Sequence, residues 1–128
     1  MLQIWARTTF FQVEPGEEEQ TNPGVYGRAF AHWLAEKLKA RGEAVREILP
    51  EDWGWCVILA RSPYLLWIGC SNREGGTEEW GAFVTAEPGF LRRILRKPDT
   101  QPAIDRIQRM LLEIMKEIPG VTKVWSEG

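Results

Sequence analysis

The stretch Trp53-Gly54-Trp55-Cys56-Val57-Ile58-Leu59-Ala60-Arg61-Ser62-Pro63-Tyr64-Leu65-Leu66-Trp67-Ile68-Gly69-Cys70 decides the fold. It holds two continuous apolar runs, Trp53–Arg61 and Tyr64–Cys70, joined at Ser62-Pro63. Both are rich in β-branched and aromatic residues and have the length of strands, so they read as a hairpin in the centre of a sheet. Working outward, Ala44–Leu49 alternates in the manner of an edge strand and Pro50-Glu51-Asp52 breaks it. On the other side, Asn72–Thr77 contains Gly75-Gly76 and reads as a turn, and Glu79–Ala86 is the next strand, ended by Pro88-Gly89. Leu2–Val13 reads as a first strand, stopped by Pro15-Gly16. Its apolar residues occupy both parities, which calls for cover on both faces or a bulge near Thr8-Thr9. Val121–Trp125 is a short last strand.

Helical patterns flank these strands. Asn22-Pro23 signals a helix start, and the helix runs from about Val25 to Arg41 before Gly42. Tyr26, Phe30, Trp33, Leu34 and Leu38 share its apolar face. Pro102 opens the longest helix, to about Glu117, along the stripe Ile104, Ile107, Leu111, Ile114 and Ile118. Phe90–Lys97 is a short basic helix or turn. The expected fold is α+β: a two-layer sandwich, with a mostly antiparallel sheet of about five or six strands and two main helices on one face. Residues 1–128 form a single domain.

Composition narrows the function. The chain has 128 residues, of which 44% are hydrophobic and 27% charged, enough apolar content to bury a core. Its net charge of −2, from 16 Lys+Arg and 18 Asp+Glu, argues against a general nucleic-acid binder. No N-terminal leader pattern or membrane-length apolar run occurs, so the expected location is cytoplasmic.

Few residues offer catalytic chemistry. The lone histidine, His32, falls opposite the apolar helix face and reads as a surface residue. Cys56 and Cys70 flank the hairpin turn. They face each other or point to opposite faces according to the length of the loop, and in either case read as core residues. No metal-ligand spacing and no phosphate-binding glycine loop is present, so no cofactor or metal is expected. Arg92, Arg93, Arg96 and Lys97, continued by Arg106 and Arg109, read as a solvated face or as partners for the chain's own glutamates.

Two features stand out for binding. Seven tryptophans are too many to ignore. Trp33 and Trp67 sit in core-like patterns, whereas Trp5, Trp53, Trp55, Trp80 and Trp125 lie in or at the ends of strands. With helices on one sheet face, some must decorate the other, and aromatic residues rimmed by charge mark partner surfaces. The second feature is Glu51-Asp52-Trp53-Gly54-Trp55, two carboxylates and two rings around a glycine.

The runs Thr21-Asn22-Pro23-Gly24-Val25-Tyr26-Gly27-Arg28, Trp33-Leu34-Ala35-Glu36-Lys37-Leu38, Glu51–Cys56 and Leu66–Cys70 resemble a small family of uncharacterised bacterial proteins. The resemblance implies a bacterial, cytosolic, stand-alone domain and transfers no functional residue.

Two functions follow. The first is a non-enzymatic protein-binding domain, similar in character to toxin-neutralising immunity proteins. Its acidic loop, with Glu17, Glu18 and Glu19, would steer a basic partner, and its exposed aromatic residues would anchor it. The alternative is a small-molecule or enzymatic site between the start of the first long helix and the Pro50–Trp55 turn. There Tyr26, Arg28, Glu51, Asp52, Trp53 and Trp55 would clamp an anion, supply a base and stack on the ligand. An edge strand at Ala44–Leu49 also permits a homodimer.

Overall fold

The computed structural model describes residues 1–88 and 99–128. The short basic segment expected at Phe90–Lys97 lies outside the described residues, as do Arg92, Arg93, Arg96 and Lys97. The elements in chain order are β1 (Gln3–Arg7), α1 (Glu17–Gln20), α2 (Arg28–Ala40), β2 (Glu47–Glu51), β3 (Gly54–Ala60), β4 (Leu65–Asn72), β5 (Glu79–Glu87), α3 (Gln101–Met115) and β6 (Lys123–Glu127). The six strands form one sheet in the order β2-β3-β4-β5-β1-β6, and every neighbouring pair is antiparallel. Helix α2 lies against β2, β3 and β4, and α3 against β1 and β5, on the same face. The fold is an α+β sandwich.

Alternation along the strands sorts the side chains. Ile4 and Ala6 of β1, Trp55, Val57 and Leu59 of β3, Ile68 and Cys70 of β4, and Trp80, Ala82 and Val84 of β5 face the helices. They meet Phe30, Leu34 and Leu38 of α2 and Ile107, Leu111 and Ile114 of α3. Trp5, Cys56, Trp67 and Phe83 occupy the opposite parity, on the face that the two long helices leave bare.

Three boundaries differ from the sequence reading, each for a physical reason. The first strand ends at Arg7 rather than Val13. Thr8 turns the chain out of the sheet, its Oγ1 donating to the Pro119 carbonyl at 3.0 Å and accepting from Phe10 N at 3.1 Å. Phe11 then drops into the core, which accounts for apolar residues of both parities. The edge strand is Glu47–Glu51 and runs through Pro50, which pairs with Trp55. On an edge strand a proline sacrifices no necessary ladder bond. Helix α2 starts at Arg28, not near Val25. Gly27 precedes it with φ 153°, and a Cβ there would stand 3.1 Å from the Cys70 carbonyl oxygen, so both backbone and space favour glycine.

The register of the central hairpin settles the cysteines. Near the turn Ala60 opposes Leu66, a register that would place Cys56 opposite Cys70 if continued. A bulge between Ile58 and Ala60 shifts the pairing by one residue. Cys56 therefore opposes Gly69 on the bare face, while Cys70 opposes Trp55 on the helix face. Both are buried and unbridged.

Candidate functional site

The acidic loop is the first candidate, and its carboxylates are largely committed within the fold. Glu17 is only 3% exposed. Its Oε1 accepts from Gly27 N at 2.6 Å and Arg28 N at 2.7 Å, and its Oε2 accepts from Glu14 N at 3.1 Å. A carboxylate from α1 thus satisfies two free N–H groups at the start of α2, where the helix dipole also favours negative charge. Glu14 pairs with Arg28 at 2.5 Å, and Glu18 accepts from the Tyr26 hydroxyl. That contact holds the Tyr26 phenol above its ordinary pKa. Glu17 is therefore a buried structural cap, while Glu18 and Glu19 remain on the surface.

Asn72 completes this junction. Its Oδ1 accepts from Tyr26 N at 3.0 Å, and its Nδ2 donates to the carbonyls of Gly24 and Gly76 at 2.9 and 2.8 Å. The role of Asn72 was not visible in the sequence, because it joins residues that only the folded chain brings together. The signal for Glu17 was present, since clustered glutamates just before a helix sit favourably in its dipole.

The second candidate paired the start of α2 with the Pro50–Trp55 turn. These segments do meet: Asn22 Nδ2 donates to the Asp52 carbonyl at 3.1 Å, and the Arg28 guanidinium lies 5.8 Å from the Trp55 ring centroid. The sheet nevertheless divides the residues that were expected to act together. Trp55 is 2% exposed in the helix-side core, beside Arg28 and Gly27. Glu51 and Trp53 line a groove on the bare face instead. Asp52 is exposed in the turn.

That groove, about 430 Å³, is the site the structure assembles. It runs across β2, β3 and β4, with Leu49 of β2, Cys56 and Ile58 of β3, and Trp53 and Trp67 in its lining. Glu51 lies at the β2–β3 turn, and Arg61, Leu65 and Glu87 lie toward the opposite end of the strands. Trp53, Trp67 and Phe83 form a closed triangle with ring centroids 5.5 to 5.7 Å apart. The triangle stands over Gly69, where a Cβ would overlap Phe83 and come within 2.9 Å of Trp53. Glycine at this central position is what lets the rings settle onto the sheet. Trp67 is therefore a bare-face residue, half-buried, and not part of the helix-side core.

The described lining of the groove is acidic. Arg61 is engaged by Glu47 at 2.6 Å. Glu87 accepts from Trp67 Nε1 at 3.3 Å, which fixes the indole. Burial, reinforced by Glu51 and Glu87, pushes the Cys56 thiol up to about 12. The sulfur lining this groove is thus an apolar thiol at neutral pH rather than a nucleophile. Burial raises the Cys70 thiol as well.

The other half of the bare face is built differently. Trp5 lies over Gly81 with Arg73 stacked 4.2 Å from its ring centroid. Trp125 is flanked by Arg7 and Lys123. Arg7 and Arg73 pair in turn with Glu79 and Glu127. His32 is exposed on α2. Arg106 pairs with Glu43, and Arg109 borders a small cavity beside Asp105 and Leu112. Among the described residues no group of three or more His, Cys, Asp or Glu is placed to hold a metal, and no helix is long and apolar enough to cross a membrane.

Comparison with known proteins adds no relative: no family model matches the chain, and no curated protein or solved structure matches it.

Proposed function

We propose that this chain is a non-enzymatic protein-binding module whose partner docks on the bare face of the sheet, over Trp53, Trp67 and Phe83. The observation that carries the reading is Trp53, 41% exposed, yet held in a fixed aromatic triangle beside a groove. A large ring kept in water costs the chain solvation free energy and is the usual anchor of a protein interface. Among the described residues two carboxylates, Glu51 and Glu87, line the groove with one cation, Arg61, which Glu47 already engages, so the complementary surface is basic. Glu18 and Glu19 add negative charge elsewhere on the surface and favour encounter with such a partner.

The test is affinity capture at low salt with three baits: wild type, Trp53→Ala and Glu19→Lys. The reading expects a basic protein held in stoichiometric amount by the wild type. After purification it should bind at least about tenfold more weakly to Trp53→Ala, the loss of a single anchor residue. Glu19→Lys should slow association with little change in dissociation. A partner held equally by wild type and Trp53→Ala would overturn the reading, as would capture of no stoichiometric protein.

A further inference from the structure

The tryptophans of this fold share a habit. Among the described residues Trp5, Trp33, Trp55 and Trp125 each have a lysine or arginine over the ring, at 4.2 to 5.8 Å from the centroid. Trp80 is sealed in the core at 1% exposure. Trp53 and Trp67 are the remaining two. They are the pair that lines the groove, and among the described residues they are bordered by Glu51 and Glu87 rather than by a free cation. The one arginine among its described lining residues, Arg61, is held by Glu47.

We infer that the groove is a receptor for a cationic side chain of the docking protein, an arginine laid over Trp53 and Trp67 with its guanidinium directed to Glu51 or Glu87. The chemistry favours arginine over a generic apolar anchor. A planar guanidinium stacks on an indole face and gives up little hydration, while its N–H fork bonds a carboxylate. The apolar lining of Leu49, Cys56 and Ile58 fits the methylene stem. The protonated Cys56 thiol adds no charge to that lining. Arg28 over Trp55 and Arg73 over Trp5, each also paired with a glutamate, show the same arrangement made internally.

This inference rests on the bare-face reading above, and its test is separable from it. The full chain, labelled with ¹⁵N at tryptophan, is titrated with N-acetyl-arginine methylamide. N-acetyl-citrulline methylamide, the same shape without the charge, is the control. The expected result is saturable movement of the Trp53 and Trp67 indole signals with the arginine probe. Binding should be at least about tenfold weaker with citrulline and in the Glu51→Gln/Glu87→Gln double variant. A thermal melt of that variant, matching wild type, excludes unfolding as the cause. Equal response to both probes would overturn the inference, as would movement confined to Trp5 and Trp125 or no saturable shift at all. If Trp53→Ala loses the captured partner while the arginine probe has no effect, the docking face stands and only its arginine specificity falls.

Discussion

The molecule contains two aromatic clusters, one on each face of the same sheet. On the helix side, Phe11 sits 5.0 Å from Phe30 and 5.7 Å from both Trp33 and Trp80, and the group is closed over by α2 and the loop after β1. On the bare side, Trp53, Trp67 and Phe83 pack at nearly the same distances, with neither α2 nor α3 above them and Trp53 41% exposed. Similar ring geometry is thus put to two uses. In the first cluster aromatic area is removed from water and contributes to folding. In the second the rings hold one another in place, and Trp53 stays exposed.

The comparison makes its largest prediction in the core. Phe30→Ala should destabilise the chain by about 3–5 kcal/mol, the usual cost of emptying a buried phenylalanine site. Trp53→Ala should cost less than about 1 kcal/mol, because much of its ring is already wet. Urea unfolding of the two variants checks this. Equal losses would erase the distinction between the clusters.

Glu17→Ala comes next, at about 2–3 kcal/mol, since it removes a buried charged acceptor from three backbone N–H groups. Glu19→Ala, two residues on and exposed, should stay within about 0.5 kcal/mol. A pair of denaturation curves separates the capping carboxylate from the surface one.

The thiols give a pH test of the two faces. Cys56 has its folded pKa raised to about 12 by burial first and then by Glu51 and Glu87. Above an unfolded value of about 8.5 the unfolded chain releases this proton and the folded chain keeps it. Stability should therefore fall as pH rises from about 9 toward 12, by up to about 1.4 kcal/mol per pH unit for this thiol. Cys56→Ala should flatten its share of that slope. Iodoacetamide at pH 8 should leave the native thiols unmodified and label them once the chain unfolds.

A change on the bare face itself carries a spectral signature. Gly69→Ala would force Phe83 and Trp53 off the sheet. Because flexible ring edges yield more easily than backbone, the cost should be about 1 kcal/mol. Near-ultraviolet circular dichroism from the bare-face rings should change, while far-ultraviolet signal from the helices should not.

The layer architecture was legible in the sequence because period carries it. The run Trp53–Cys70 specified the hairpin, and the 3-4 stripe through Ile104, Ile107 and Leu111 specified α3. What escaped depends on offsets of a single residue. The bulge near Leu59 turns Cys56 and Cys70 to opposite faces, and no local pattern announces it. Trp67 looked like core because its neighbours Leu66 and Ile68 are, yet in a strand alternate residues point opposite ways. Glu17 looked like solvent-facing charge because its acceptors' partners, Gly27 and Arg28, lie ten and eleven residues away. The acidic-aromatic turn Glu51–Trp55 was found from the sequence, but its residues separate between two faces. The groove was therefore only half legible.

The most direct test of the central claim uses the seven indole N–H signals as reporters of face. Trp53, Trp67, Trp5 and Trp125 mark the bare side, and Trp33, Trp55 and Trp80 mark the helix side. A spectrum of the ¹⁵N-tryptophan chain is recorded alone and with the purified protein that it captures. The account predicts that Trp53 and Trp67 shift most while Trp55 and Trp80 hold their positions. Shifts concentrated at Trp33, Trp55 or Trp80, with Trp53 unmoved, would contradict it.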